Sequence, residues 1–153
     1  MSKKKSLDWT FDDKVFTSEM IEDYFGFVYL ITNTITGKKY IGRKYFYSTL
    51  KKKKKGRKNR VIVKKQSNWQ EYFGSSQNLT NDINEHGKEN FKREILSLHE
   101  ARADVNYYEI KKQMELNVLE CDDYYNDNIM NRYYRRKNKT KSVFSKTWDE
   151  RQK

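Results

Sequence analysis

Phe27-Val28-Tyr29-Leu30-Ile31-Thr32, then Asn33-Thr34-Ile35-Thr36-Gly37-Lys38, then Lys39-Tyr40-Ile41-Gly42-Arg43 is the stretch on which the fold turns. The first run is β-branched and aromatic, the second is turn chemistry, and the third returns as a strand. Together they read as a β-hairpin. Alternation along each strand brings Tyr29 and Tyr40 to one face, and Gly42 is expected to leave room there for a backbone or phosphate to approach.

Working outward, Thr17 to Gly26 reads as a short helix, with Ser18 as cap, acids in the first turn and Gly26 at a left-handed exit. Beyond the hairpin, Lys51 to Lys65 opens with five consecutive lysines. Like charges at helical spacing repel, so an exposed loop or a poorly ordered helix extension is expected there. Trp69 to Gly74 restores aromatic content. Ser75-Ser76 can cap a helix with Leu79 and Ile83 on one face, ending at His86-Gly87. Phe91 to Leu98 reads as a third strand, and a longer helix runs from about Arg102 to Asn117. On that helix Tyr107, Ile110 and Met114 are expected to form the core stripe, with Glu109 off it on the side of Val105 and Leu116. The fold class is α+β, a small three-stranded antiparallel sheet flanked by helices. An N-terminal segment (1–25), a central domain (26–130, with a basic insertion at about 45–66) and a basic tail (131–153) divide the chain.

The 153 residues suffice for one core with tails. No apolar run approaches the roughly 20 residues needed to span a bilayer. The basic start leads into Leu7-Asp8-Trp9, not into an apolar stretch, so a secretory leader is not expected. Cys121 is alone, which excludes an internal disulfide and a cysteine-based zinc site. A soluble protein of a reducing compartment, the cytoplasm, with no membrane partner, is the expectation.

The formal charge is +12, but its distribution says more: −2 over residues 1–37, +14 over 38–65, −7 over 66–131 and +7 over 132–153. Segregated positive charge is the footprint of a phosphate-backbone binder, because each neutralised phosphate releases condensed counterion. A merely lysine-rich, solvated surface is the alternative. In the tail, Tyr133-Tyr134-Arg135-Arg136-Lys137 interleaves aromatics with bases, as backbone binding with stacking or minor-groove contact requires. A solvated tail is the bland reading of the same residues.

Phe27-Val28-Tyr29 and Tyr40-Ile41-Gly42, with ten residues between the tyrosines, resemble the signature of the GIY-YIG nucleases. Glu85-His86-Gly87, Phe91 entering a strand, a helix with Tyr108-Glu109, and then Tyr125-Asn126 resemble the same family's downstream order. The resemblance implies a DNA phosphodiesterase using one divalent ion, Mg²⁺ or Mn²⁺, on DNA that is double-stranded. It implies that Glu109 binds the metal, that Tyr29 and Tyr40 orient or deprotonate the attacking water, and that Asn126 is a supporting polar residue. A phage or mobile-element nuclease, homing-like in its catalytic domain, is the setting it suggests. Residue chemistry agrees: a hard cation prefers oxygen ligands and keeps most of its waters, so one carboxylate can suffice. An ordinary tyrosine, with a pKa near 10, needs a neighbouring cation to act as a base.

The chain departs from the family pattern in two places. Phe27 and Val28 stand where the family name has Gly and Ile. The helix arginine usually found about ten residues after the second tyrosine is replaced by Leu50 and the Lys51–Lys55 run. Its phosphate-steadying role then passes to a lysine of that run, to Arg57 or Arg60, or to Arg43 or Lys44, with Lys44 favoured because a rigid strand end positions a charge better than a loop. Lys39, Lys51, Lys52, Lys53, Lys54, Lys55, Arg57, Arg60, Arg135 and Arg136 are the expected DNA-contacting bases, and His86 is a further candidate against a helix-capping role. The rival readings are a non-catalytic nucleic-acid binder on the same scaffold and an RNA-directed or ribosome-associated basic protein.

Overall fold

The computed structural model describes residues 7–52, 61–137 and 140–148, of which 49–52 and 61–64 are described by their backbone. In chain order, β1 (Thr10–Phe11) and β2 (Lys14–Val15) are followed by a 3-10 turn at Ser18–Met20. The hairpin read from the sequence is β3 (Gly26–Asn33) and β4 (Lys39–Tyr45), and β5 (Tyr47–Lys52) and β6 (Val61–Gln66) make a second one. Then come α1 (Gln77–His86), β7 (Phe91–His99), α2 (Arg102–Glu115), β8 (Asn128–Ile129) and β9 (Tyr133–Tyr134). No described helix is long and apolar enough to cross a membrane.

The α+β class holds, but the sheet is larger and mixed: five strands in the order β2-β1-β7-β3-β4. Its centre, β7-β3-β4, is the antiparallel trio expected from the sequence. The difference lies at the N-terminus, where β1 pairs parallel to β7 and antiparallel to β2. Trp9 explains it. Its indole is buried edge-on against Phe27 and Tyr29, and its Nε1 donates to the Trp69 carbonyl at 2.7 Å, so this segment is strapped across the core.

Three further expectations are corrected. The Thr17–Gly26 helix shrinks to the 3-10 turn, since Glu22 adopts φ +47° and Gly26 opens β3. There a Cβ would lie 2.7 Å from the Lys44 carbonyl, so close strand approach, not a helix exit, calls for glycine. Residues 51–52 and 61–65 of the lysine-rich stretch are strand and not loop or helix. A strand turns successive residues to opposite faces, so like charges are not gathered as they are on a helix. Lys53, Lys54, Lys55, Arg57 and Arg60 lie outside the described residues. On α2 the core stripe is Val105, Glu109 and Gln113, while Tyr107 is 59% and Met114 48% exposed. The i, i+4, i+8 spacing is helical, but the helix is rotated to put Glu109 inward.

The sheet carries a core on each face. Phe27, Tyr29 and Ile31 point into a cluster with Trp9, Phe46 and Trp69; Val28 and Ile41 point into a smaller one with Val118 and Ile129, against which Leu30 and Ile110 pack. β4 is the edge strand, and the site is built around that edge.

Candidate active site

Tyr29 faces Gly42 across the β3–β4 pairing. A Cβ on Gly42 would stand 2.6 Å from Tyr29 Cζ and 2.9 Å from Tyr40 Cε1, so glycine at this position seats the two phenols. That replaces the expectation of room for a phosphate. The two rings sit 6.1 Å apart between centroids, on one face as alternation requires. Where Tyr29 sits, β7 slips register: Ser97 is opposite Val28 and Ile95 opposite Tyr29, so Leu96 is an extra residue. Such bulges re-aim side chains beside functional sites.

Burial pushes the Tyr29 phenol well above its ordinary value of 10, and Tyr40, Tyr72 and Glu109 nearby add to the effect. Burial also raises Tyr40, against the opposing influence of Ser75, whose Oγ shares a hydrogen bond with the Tyr40 hydroxyl at 3.2 Å. At neutral pH both phenols are therefore protonated donors. Lys44, two residues beyond Gly42 and on the same face, holds its Nζ 4.1 Å above the Tyr72 ring. Burial lowers its pKa. It is a cation on the tyrosine side that rests on a ring and has no carboxylate partner within 4.0 Å among the described residues.

The opposite side of β4 holds the acid. Arg43 Nη1 donates to Glu109 Oε1 at 2.6 Å, and Arg43 Nε donates to the Tyr45 hydroxyl, which itself donates to Asn106 Oδ1 at 2.6 Å. Glu109 is only 8% exposed. Burial raises its carboxyl pKa, and the Arg43 charge and hydrogen bond hold it back. For Arg43 burial works downward, but Glu109 outweighs it and the pKa is raised. A cleft of about 840 Å³ is lined from both sides, by Tyr29, Tyr40 and Lys44 on one and by Arg43 and Glu109 on the other. Tyr29, Tyr40, Arg43, Lys44, Glu109 and Asn126, all singled out from the sequence, line it together.

Asn126 is buried, and its side-chain amide works as a short strand. Its Oδ1 accepts from the Ile41 N–H at 3.1 Å and its Nδ2 donates to the Ile41 carbonyl at 2.8 Å, a carbonyl that also accepts from Gln113 Nε2 at 3.1 Å. The β4 edge is thereby sealed up to Ile41 and open to the cleft beyond it. The guanidinium of Arg135 donates to the carbonyls of Val118, Tyr124 and Asn126, which ties the tail to the 118–126 segment. Arg136 is exposed, and half-buried Lys39 joins the sheet to Asp123 and Tyr125 through its backbone. His86 ends α1 outside the cleft lining. With Asp82 and Glu85 it forms a group whose ligand atoms lie within 4.8 Å of one another, but Asp82 Oδ2 already accepts from the Tyr125 hydroxyl at 2.6 Å.

Tyr72, Ser75, Gln113 and Asp127 are the site residues that sequence reading missed. Tyr72, Ser75 and Asp127 come from loops, where periodicity carries no signal. Gln113 had one: it lies four residues beyond Glu109, on the same helical face. For a metal, Glu109 is the buried carboxylate of the cleft, with Asp127 and phenolic oxygens on the same walls, while the Asn126 amide is engaged by Ile41. This all-oxygen donor set fits a hard divalent ion such as Mg²⁺.

Residues 9–129 match the family model described as "Putative endonuclease segE, GIY-YIG domain". No curated protein and no solved structure matches the chain. With the match spanning most of the chain, and the two tyrosines and Glu109 gathered at one cleft, the protein belongs to the GIY-YIG endonuclease family, whose substrates are nucleic acids.

Proposed function

We propose that the cleft hydrolyses phosphodiester bonds of double-stranded DNA, with one Mg²⁺ or Mn²⁺ held by Glu109. The observation that carries this reading is the meeting of phenols, a lysine without a described carboxylate partner and a buried carboxylate in one cleft. A hard divalent ion, when bound, supplies Lewis-acid stabilisation of the phosphoryl oxygen and makes a coordinated water more acidic.

The chain's own residues then have separable tasks. Lys44 neutralises the scissile phosphate from the tyrosine side. Tyr29 and Tyr40, as protonated phenols, donate hydrogen bonds that orient the attacking water and the phosphate oxygens, with Tyr29 relaying a proton through its hydroxyl. Arg43 opposes the effect of burial on Glu109 and, lining the same cleft, would be placed to meet a phosphate oxygen were Glu109 to hold a metal. Asn126 and Gln113 hold the edge strand that carries Arg43 and Lys44. The family resemblance supports a phage or mobile-element nuclease acting in the cytoplasm.

The direct test is supercoiled plasmid with Mg²⁺, beside Glu109→Ala and an EDTA control. Nicking or linearisation by the wild type alone supports the reading, and a mobility shift without cleavage across metals overturns it. A non-catalytic binder is the second reading, favoured by one observation: Glu109 is already satisfied by Arg43. It predicts that Glu109→Ala alters neither DNA affinity nor any activity.

A further inference from the structure

Between Phe46 and Trp69, both buried in the core, the chain leaves the sheet as the β5–β6 ribbon. The base of the ribbon is closed by bonds that do not depend on it: Ser67 N–H donates to the Phe46 carbonyl at 2.8 Å and Ser67 Oγ to the Tyr45 carbonyl at 2.6 Å. From there Tyr47 pairs with Gln66, and pairing runs unbroken to Lys52 and Val61. Among the described residues the strands form a separate two-stranded sheet that no other strand extends. Tyr47, Ser48 and Ser67 at the base line the cleft beside Arg43 and Lys44. The two strands carry Lys51, Lys52, Lys64 and Lys65 and no acid.

We propose that the β5–β6 ribbon enters the major groove of duplex DNA next to the cleft and sets the spacing between the bound segment and the phosphate offered to Lys44. This deepens the nuclease reading above and rests on it for the location of that phosphate. The major groove of B-DNA is about 12 Å wide and admits a two-stranded ribbon. The corresponding groove of A-form RNA is deep and narrow and excludes one. Six paired residues at about 3.4 Å each make a ribbon of about 20 Å, enough to lie along about six base pairs. Charge complementarity supplies the attraction, and the anchoring of both ribbon ends in the core supplies the fixed angle.

The test is made in EDTA, so that cleavage is not required. Binding is measured to a 30-base-pair DNA duplex, to one of its single strands and to the matching RNA duplex, over a range of salt. One variant replaces residues 50–63 with Asn-Gly, a two-residue turn between the paired Thr49 and Lys64. A second keeps the ribbon and carries Lys51→Gln, Lys52→Gln, Lys64→Gln and Lys65→Gln, so the test survives if the first does not fold. The wild type is expected to prefer duplex DNA over duplex RNA and to show interference by guanine N7 methylation within one block of about six base pairs. Truncation is expected to weaken duplex binding at least about tenfold and abolish the interference, and the lysine variant to flatten the salt dependence. Wild-type binding indifferent to N7 methylation, or equal for RNA and DNA duplexes, overturns the proposal. So does a truncated variant that binds like wild type. Failure of the nuclease reading looks different: full interference in EDTA, but an intact plasmid once Mg²⁺ is added.

Discussion

Arg43 and Glu109 form an ion pair of 2.6 Å that ties the edge strand β4 to α2 at the mouth of the cleft. The partners are unequally placed, with the arginine side chain 43% exposed and the carboxylate 10%. Solvent therefore reaches the cation far more readily than the anion. Removing the arginine strands a buried charge, whereas removing the carboxylate leaves a cation that water can serve.

Glu109→Gln tests that asymmetry through stability. Burial raises the folded-state carboxyl pKa above its ordinary 4.5, so ionisation is penalised by folding and the penalty grows as pH rises from below 4.5 through the folded value. Without metal, Glu109→Gln should melt higher than wild type at pH 7, and the gap should close at pH 4. Thermal scans at the two pH values check it. Addition of Mg²⁺ should raise the melting temperature of wild type and leave the variant unmoved, by simple linkage.

Arg43→Met should move Glu109 further upward, because the neighbouring charge and hydrogen bond that hold its pKa down are lost. The acid limb of the pH–rate profile for plasmid nicking is expected to shift to higher pH. An unchanged limb means that Glu109 ionisation does not govern the rate.

Lys44→Met should lower the cleavage rate by about 10²-fold or more with little change in DNA affinity, since one charge matters most where transition-state charge develops. Single-turnover rates beside binding curves separate the two. A loss confined to affinity would make Lys44 one more phosphate-tracking base.

Gly42→Ala places a methyl group into the Tyr29 and Tyr40 rings. Overpacking of this kind costs about 1–3 kcal/mol. The variant should fold with a lowered melting temperature and lose cleavage, while the exposed bases keep its DNA affinity near wild type.

Arg93 is buried between the Trp9 ring at 4.7 Å and the Phe73 ring at 4.1 Å, and its guanidinium donates to the carbonyls of Leu7, Gln70 and Tyr72. Arg93→Met should cost about 3 kcal/mol or more, because it orphans carbonyls as well as removing a cation. Cleavage should fall with stability, as the loop carrying Tyr72 and Ser75 loosens. Arg93→Lys should rescue little, since one ammonium cannot reproduce the guanidinium fork. Denaturant titration of the two variants checks the order.

What was legible in the sequence was local in origin. The β3–β4 hairpin, the facing tyrosines, the Ser76-capped α1, β7 and the extent of α2 each follow from period-2 or period-3.6 patterning within a short window. Glu109 and Asn126 came from ordered family resemblance, and they reach the same cleft as the hairpin. The charge of the insertion is plain in the sequence, but its ribbon form is not: lysine repulsion is a local effect, whereas the pairing of Val61-Ile62-Val63 with Leu50, Lys51 and Lys52 is a contact between distant segments.

Only the tertiary structure decided the rest, because each remaining question concerned what lies opposite a residue and not what lies beside it. Gly42 is small for the sake of a phenol on the next strand. Glu109 faces inward because Arg43 across β4 and the sealed Ile41 edge make a polar floor for α2, which reverses the ranking that hydrophobicity alone gives to Tyr107 and Met114. Trp9 joins the core because a carbonyl 60 residues away accepts its indole N–H. Sequence patterning reports which side chains want burial, and packing against distant partners settles which of them obtain it.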